Sequence, residues 1–224
     1  MGGRLQIGFR IYLVTDRKRC PGGDIVGAVG NALEGGVRAV QLREKDLPGR
    51  ELFRLASLLR RLTREYGAML LINDRVDVAV AVGADGVHLG VLSLPPGEAR
   101  RLLGPSAVIG CSTHNAEELL DAETGGADFV TFGPVYPTPS KAAYGPPVGI
   151  PALAAACRAA RIPVFALGGV GPGNVEETLR TGCFGVATIS GIVAAPDPRA
   201  AAAELMERIS QCRNVSEAER EGAS

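Results

Sequence analysis

Val37-Arg38-Ala39-Val40-Gln41-Leu42-Arg43-Glu44-Lys45 begins as an apolar strand and ends in charge. Side chains of a strand alternate faces with period two, so Gln41, Arg43 and Lys45 are expected on one side, with Val40 and Leu42 on the other. Two cations and an amide then share a face. A strand in a buried parallel sheet carries branched aliphatics on both faces, because isolated charges are costly to bury. A stripe of donors closing such a strand therefore points to an anion. The competing reading is a strand that ends at Gln41, followed by a solvated loop of charges. Position weighs against it: Asn73-Asp74, Ser112 and Lys141 recur at the same point of later strand-like units.

Working outward, short β-branched runs alternate with amphipathic ones along the chain. The predicted strands are Ile11–Val14, Val37–Leu42, Ala68–Ile72, Gly86–Leu89, Ala107–Cys111, Phe129–Phe132, Pro163–Leu167 and Gly185–Ile189. Apolar residues recur at three- and four-residue spacing over Asp24–Leu33, Gly49–Glu65, Arg75–Val82, Pro96–Leu103, Ala116–Ala122, Pro151–Ala160, Gly173–Thr181 and Pro198–Cys212, which predicts helices there. Eight strands, each followed by a helix, predict an α/β fold of the (β/α)8 TIM-barrel type. It occupies one domain over residues 1–212. A doubly wound open sheet is the competing architecture, because strand order is not written in one sequence. Residues 213–224 form a polar tail without apolar periodicity, expected to be disordered.

Composition narrows the function. The 24 basic and 24 acidic residues cancel, so bulk attraction to nucleic acid or an anionic membrane is not expected. No stretch approaches the roughly 20 apolar residues of a membrane span, and the N-terminus lacks an apolar signal core, so the expected location is the cytoplasm. Thirty glycines, fifteen prolines and no tryptophan describe many tight turns rather than an aromatic-rich binding surface. The five cysteines have neither metal-ligand nor redox spacing, and Cys157, Cys183 and Cys212 read as small buried hydrophobes. Small-molecule substrates are the expected partners, and a homo-oligomer is compatible with the chain.

In a barrel of this kind, binding residues gather at the carboxyl ends of the strands. Arg43 and Lys45 close the second strand, Asn73 and Asp74 the third, His88 the fourth, Ser112 and His114 the fifth, and Ser190 the eighth. Thr138 to Lys141 follow the sixth. Asp85 opens the fourth strand and reads as a turn or cap residue. After the seventh strand comes Gly168-Gly169-Val170-Gly171-Pro172-Gly173, and after the eighth Ile189-Ser190-Gly191. Glycines let backbone amides approach a phosphate, so these two loops predict a phosphate site. Arg43, Lys45 and Lys141 imply a second anion site, suited to a diphosphate. Asp74 beside them would hold Mg2+, which takes one or two carboxylates together with phosphate oxygens and water. The alternative for Asn73-Asp74 is to cap the helix that follows. His114 is a candidate general acid or base, weighed against a structural hydrogen-bonded histidine.

The motifs YLVTDR at Tyr12 to Arg17, QLREK at Gln41 to Lys45, NDRVDVA from Asn73, ADGVHLG from Ala84, GCSTH at Gly110 to His114, FGPVYPTPSK ending at Lys141, ALGGV at Ala166 to Val170 and GVATISGI from Gly185 resemble the thiamine-phosphate synthase family. The similarity runs from Ile11 to about Pro198. It implies that Gln41, Arg43, Glu44, Lys45, Asn73, Ser112 and Lys141 contact a hydroxymethylpyrimidine diphosphate, with Mg2+ on Asp74. It further implies that Thr138, Pro139, Ser140, Gly169, Ile189 and Ser190 hold a thiazole phosphate. The implied reaction, part of thiamine biosynthesis, displaces pyrophosphate from the pyrimidine methylene by the thiazole nitrogen. Arg43, Lys45 and Lys141 would act electrostatically, with no protein nucleophile.

One departure from the family pattern stands out. After His88-Leu89-Gly90 the family carries Gln-Glu-Asp, the last a second magnesium carboxylate, whereas this chain has Val91-Leu92-Ser93. Ser93 would be a neutral, weaker ligand. Related thiazole tautomerases also lack that carboxylate and would use His114 as a proton shuttle. The diphosphate set Arg43, Lys45, Asn73, Asp74 and Lys141 favours the synthase over the tautomerase, with a non-catalytic phosphate-binding protein third.

Overall fold

The computed structural model describes residues 6–138 and 146–221, with side chains as far as residue 212. Eight strands form its centre: β1 Ile11–Val14, β2 Ala39–Leu42, β3 Met69–Asn73, β4 Gly86–Leu89, β5 Val108–Thr113, β6 Phe129–Phe132, β7 Val164–Leu167 and β8 Gly185–Thr188. Each pairs in parallel with the next, and β8 returns to β1 with Val186 opposite Ile11 and Thr188 opposite Leu13. That last pairing closes the barrel and rules out the open sheet.

Helices α1 Ile25–Glu34, α2 Gly49–Glu65, α3 Val76–Val82, α4 Pro96–Leu103, α5 Ala116–Thr124, α6 Gly149–Ala159, α7 Val175–Arg180, α8 Ser190–Val193 and α9 Pro198–Glu221 follow the strands. The short α8 was not predicted, and α9 continues beyond the predicted boundary at Cys212. Among the described residues no helix is long and apolar enough to cross a membrane. All five cysteines are free; Cys183 is buried as expected, whereas Cys157 and Cys212 are only half-buried.

Alternation divides the apolar residues between two cores. Ile11, Leu13, Val40, Leu42, Leu70 and Ile72 face outward and pack under the helices. Inside the barrel, Tyr12, Phe129 and Phe165 are fully buried, and Phe9 reaches in from the segment before β1. Phe9 stacks on Phe165 at 5.1 Å and meets Phe129 edge-on at 5.6 Å, geometries that aromatic rings favour. Phe9, Tyr12, Phe129 and Phe165 therefore fill the barrel beneath a mouth lined largely by polar groups.

Two matching ion pairs brace the amino ends of the strands. Asp85, just before β4, accepts the Leu70 N–H at 2.7 Å and pairs with Arg60 of α2 at 2.6 Å. Asp128, just before β6, accepts the Ile109 N–H at 2.8 Å and pairs with Arg100 of α4 at 2.7 Å. Each carboxylate ties a strand edge to a helix, in keeping with the structural reading of Asp85.

Candidate active site

The carboxyl ends of the strands surround a cavity of about 460 Å3 lined by Gln41, Arg43, Ser112, His114, Thr138, Gly169, Ile189 and Ser190, among others. Beside it lies a smaller hollow of about 240 Å3, lined by Glu44, Lys45, Asn73, Asp74 and Arg75. The predicted residues thus gather at one rim but divide between two compartments. Pro139, Ser140 and Lys141 lie outside the described residues.

The division corrects the expected alternation. Pairing of β2 with β3 ends at Leu42 opposite Ile72, and the backbone then turns, with the Arg43 N–H donating to Thr15 Oγ1 at 2.9 Å. Gln41 and Arg43 line the larger cavity, whereas Lys45 turns to the smaller one. Period-two projection stops where the ladder stops. Glu44 is buried and its carboxylate accepts the Arg17 N–H at 3.0 Å and the Arg17 guanidinium at 3.0 Å. It anchors the loop as well as lining the hollow. Among the described residues, neither Arg43 nor Lys45 has a carboxylate partner.

Asp74 is the only described non-glycine residue with positive φ, at 59°. It caps nothing: α3 is preceded by Arg75 and has no side-chain cap. Instead Oδ2 accepts the Asn73 side-chain N–H at 2.7 Å, and Oδ1 accepts the Ser93 hydroxyl. Ser93 is itself fixed by the Gly90 N–H, which donates to its Oγ at 2.7 Å. The left-handed turn, tolerated by Asp better than by most residues, thus presents a carboxylate at the rim instead of starting the helix. No described group of three or more His, Cys, Asp or Glu side chains is placed to hold a metal. One carboxylate with a neighbouring hydroxyl and amide fits a magnesium ion only when diphosphate oxygens and water complete its shell.

A chain of buried polar groups runs beneath the cavity. Gln41 Nε2 lies 3.2 Å from Tyr12 Oη, Tyr12 Oη 3.4 Å from His88 Nδ1, and His88 Nε2 3.0 Å from Ser112 Oγ. Gly110 makes room for the imidazole, since a Cβ there would stand 2.7 Å from His88 Nδ1. Burial pushes the His88 pKa down to about 3, and the Tyr12 phenol is shifted upward for the same reason. The Thr131 hydroxyl, opposite Ser112 in the β5–β6 ladder, lines the cavity and has no hydrogen-bond partner among the described residues. Tyr12 and Thr131 escaped the sequence reading, as did the Asp16–Arg19 pair at the cavity wall. Alternation within β1 and β6 marks Tyr12 and Thr131 as inward-facing, but says nothing of their partners.

His114 is partly exposed and accompanied by Glu118, whose Oε2 lies 2.8 Å from both its Nδ1 and its backbone N–H. Across the cavity, Gly168 and Gly169 have φ of 98° and 71°. A Cβ on Gly169 would meet Tyr136 Cβ at 2.7 Å, so this loop packs tightly against the segment leading to Thr138. Asn174 fastens the loop: its Oδ1 accepts the Gly171 N–H at 2.8 Å and its Nδ2 donates to the Gly169 carbonyl at 2.9 Å.

Residues 11–192 match the family model described as thiamine monophosphate synthase. A protein of Geobacter sulfurreducens is 57% identical, the match covering 90% of this chain and 94% of that one. A thiamine-phosphate synthase of Roseiflexus castenholzii is 41% identical, with 90% and 88% covered. The solved structure of a thiamine phosphate pyrophosphorylase from Pyrococcus furiosus superposes with a TM-score of 0.83 at 40% identity, covering 91% of this chain and 96% of that one. The chain belongs to the thiamine monophosphate synthase family.

Proposed function

We propose that this protein is a thiamine-phosphate synthase. It joins 4-amino-2-methyl-5-hydroxymethylpyrimidine diphosphate to 4-methyl-5-(2-hydroxyethyl)thiazole phosphate, or its carboxylate form, and releases pyrophosphate. The observation that carries the reading is the charge at the rim: Arg43 and Lys45 have no carboxylate partners among the described residues, and the Asp74 carboxylate shares the hollow with Lys45 while Glu44 is held by Arg17. That set suits a diphosphate.

The bond between the pyrimidine methylene and the diphosphate oxygen breaks, and its electron pair leaves with pyrophosphate. The thiazole nitrogen then supplies the pair for the new C–N bond. The leaving group's growing charge is met by Arg43 and Lys45, joined by Lys141. Asp74, assisted by Asn73 and Ser93, would hold Mg2+, which supplies further neutralisation of the diphosphate when bound. Gln41, Ser112 and Thr131 offer polar contacts on the inner wall to orient the pyrimidine. The loops at Gly169 and Ile189-Ser190, with Thr138 to Ser140, receive the thiazole phosphate and so aim the ring nitrogen.

A second reading, isomerisation of the thiazole carboxylate phosphate, draws on the His114–Glu118 pair at the cavity mouth. One assay separates them. Purified protein given both substrates with magnesium is expected to release pyrophosphate and form thiamine phosphate. Isomer conversion without pyrophosphate, abolished in His114→Ala, would replace the synthase reading, and ligand binding with neither product would leave a non-catalytic binding protein.

A further inference from the structure

Ser112 reaches the cavity through one side chain only: His88 Nε2, at 3.0 Å, is the sole group bonded to its hydroxyl among the described residues. A hydroxyl donates one hydrogen bond and accepts others. Whether Ser112 turns its hydrogen or a lone pair toward a ligand therefore depends on whether His88 gives or takes the hydrogen between them. His88 is 2% exposed, surrounded by Tyr12 and Phe129, and no carboxylate bonds its ring. It is a neutral imidazole with one N–H, so the two ring nitrogens hold opposite roles.

The role of Nδ1 is set from below. Gln41 presents its side-chain nitrogen to Tyr12 Oη at 3.2 Å, so the phenolic oxygen accepts there and its own hydrogen is left for His88 Nδ1. With Nδ1 accepting, the ring hydrogen sits on Nε2 and is donated to Ser112 Oγ. The serine hydrogen then has no use inside the protein and points to the cavity. We propose that Gln41, Tyr12 and His88 form a buried directional chain that fixes Ser112 as a hydrogen-bond donor to the bound pyrimidine diphosphate. The choice of ligand rests on the synthase reading; the direction of the chain does not. Tyr12 and His88 are accordingly positioning residues that act through Ser112. The reverse direction requires Gln41 to present its oxygen to Tyr12, and it would leave Ser112 an acceptor, a poor neighbour for an anionic substrate.

The direction is readable by 15N NMR of the folded protein labelled at histidine. Only His88 and His114 are present, so a spectrum of His114→Gln assigns the signals. The expected wild-type pattern is a pyridine-like Nδ1 and a pyrrole-like Nε2 at His88. Tyr12→Phe keeps the ring in the aromatic cluster but removes the donor that fixes Nδ1 as acceptor, so the single tautomer is expected to give way to a mixture with averaged Nδ1 and Nε2 signals. In the pyrophosphate-release assay Tyr12→Phe is expected to lose roughly tenfold in turnover, as befits one lost hydrogen bond. Adding it to Ser112→Ala is expected to cost nothing further, a non-additivity that mere loosening of the core would not produce. A wild-type His88 protonated on Nδ1, an unchanged tautomer in folded Tyr12→Phe, or losses that multiply would overturn the proposal. Should the protein prove not to be a synthase, the NMR pattern still decides the chain's direction.

Discussion

At the amino ends of the strands Asp85 and Asp128 are each met by an arginine; at the carboxyl ends Arg17 and Arg19 are paired, whereas Arg43 and Lys45 stand without carboxylate partners among the described residues. Asp85 and Asp128 each satisfy a strand N–H and an arginine from a neighbouring helix, so those carboxylates hold strand to helix. Arg43 and Lys45 have no such partner among the described residues, and the Asp74 carboxylate is bonded by the neutral groups of Asn73 and Ser93. Unsatisfied charge is a stability cost that a fold tolerates where a ligand will meet it. The carboxyl-end rim thus combines a loop-anchoring pair, Arg17–Glu44, with two cations that have no carboxylate of their own among the described residues.

Lys45→Ala is expected to reduce pyrophosphate release on the order of a hundredfold while leaving the melting temperature unchanged. Asp128→Asn is expected to do the reverse, removing about 3 kcal/mol of stability with activity retained in the folded fraction. Activity assays beside thermal melts check both. If either variant moved both quantities together, the two ends would not be separable as described.

Asp74→Ala comes next. With the hollow's other carboxylate, Glu44, already held by Arg17, its loss is expected to raise the magnesium concentration needed for half-maximal turnover at least tenfold, measured by titrating magnesium at saturating substrates. Direct magnesium binding without substrate, followed by calorimetry, is expected to be weak in the wild type already. A tight substrate-free site would point to ligands beyond Asp74.

The polar chain beneath the cavity predicts a pH effect on stability. His88 has its folded pKa lowered from 6.5 to about 3, so the unfolded chain binds a proton that the native one refuses in between. Stability from this group is complete above pH 6.5 and falls as the pH drops toward 3, by at most about 1.4 kcal/mol per pH unit. Urea unfolding across that window is expected to show the slope, and His88→Gln to flatten it.

The smallest expected effect is also the most specific to this chain. Ser93→Asp places a second carboxylate beside Asp74 and is expected to lower the magnesium requirement by a few-fold. A magnesium titration that does not move would place the metal away from Ser93.

Much of the barrel was legible because local chemistry and tertiary role coincide there. The β-branched runs Ile11–Val14 and Gly86–Leu89, and the amphipathic Gly49–Glu65 and Pro96–Leu103, occupy the predicted residues. Closure through β1 and β8 was not legible, because pairing between the two ends of a chain leaves no local mark. The site was legible as a ring of strand-closing polar residues, and most of the described ones line the two compartments. Lys45 parted from Gln41 and Arg43 because the ladder stops at Leu42. Glu44 turned out to be held by Arg17, and Ser112 by His88 and Tyr12, through contacts between residues far apart in the chain.

On the synthase reading, Arg43 and Lys45, without carboxylate partners among the described residues, serve to bind a diphosphate. Calorimetric binding of inorganic pyrophosphate in the presence of magnesium, compared between wild type and Lys45→Ala, tests it most directly. The variant is expected to lose at least about tenfold in pyrophosphate affinity, one charge-assisted contact, while its affinity for thiazole phosphate is unchanged. Equal pyrophosphate affinity in the two proteins, or an equal loss for both ligands, would contradict it.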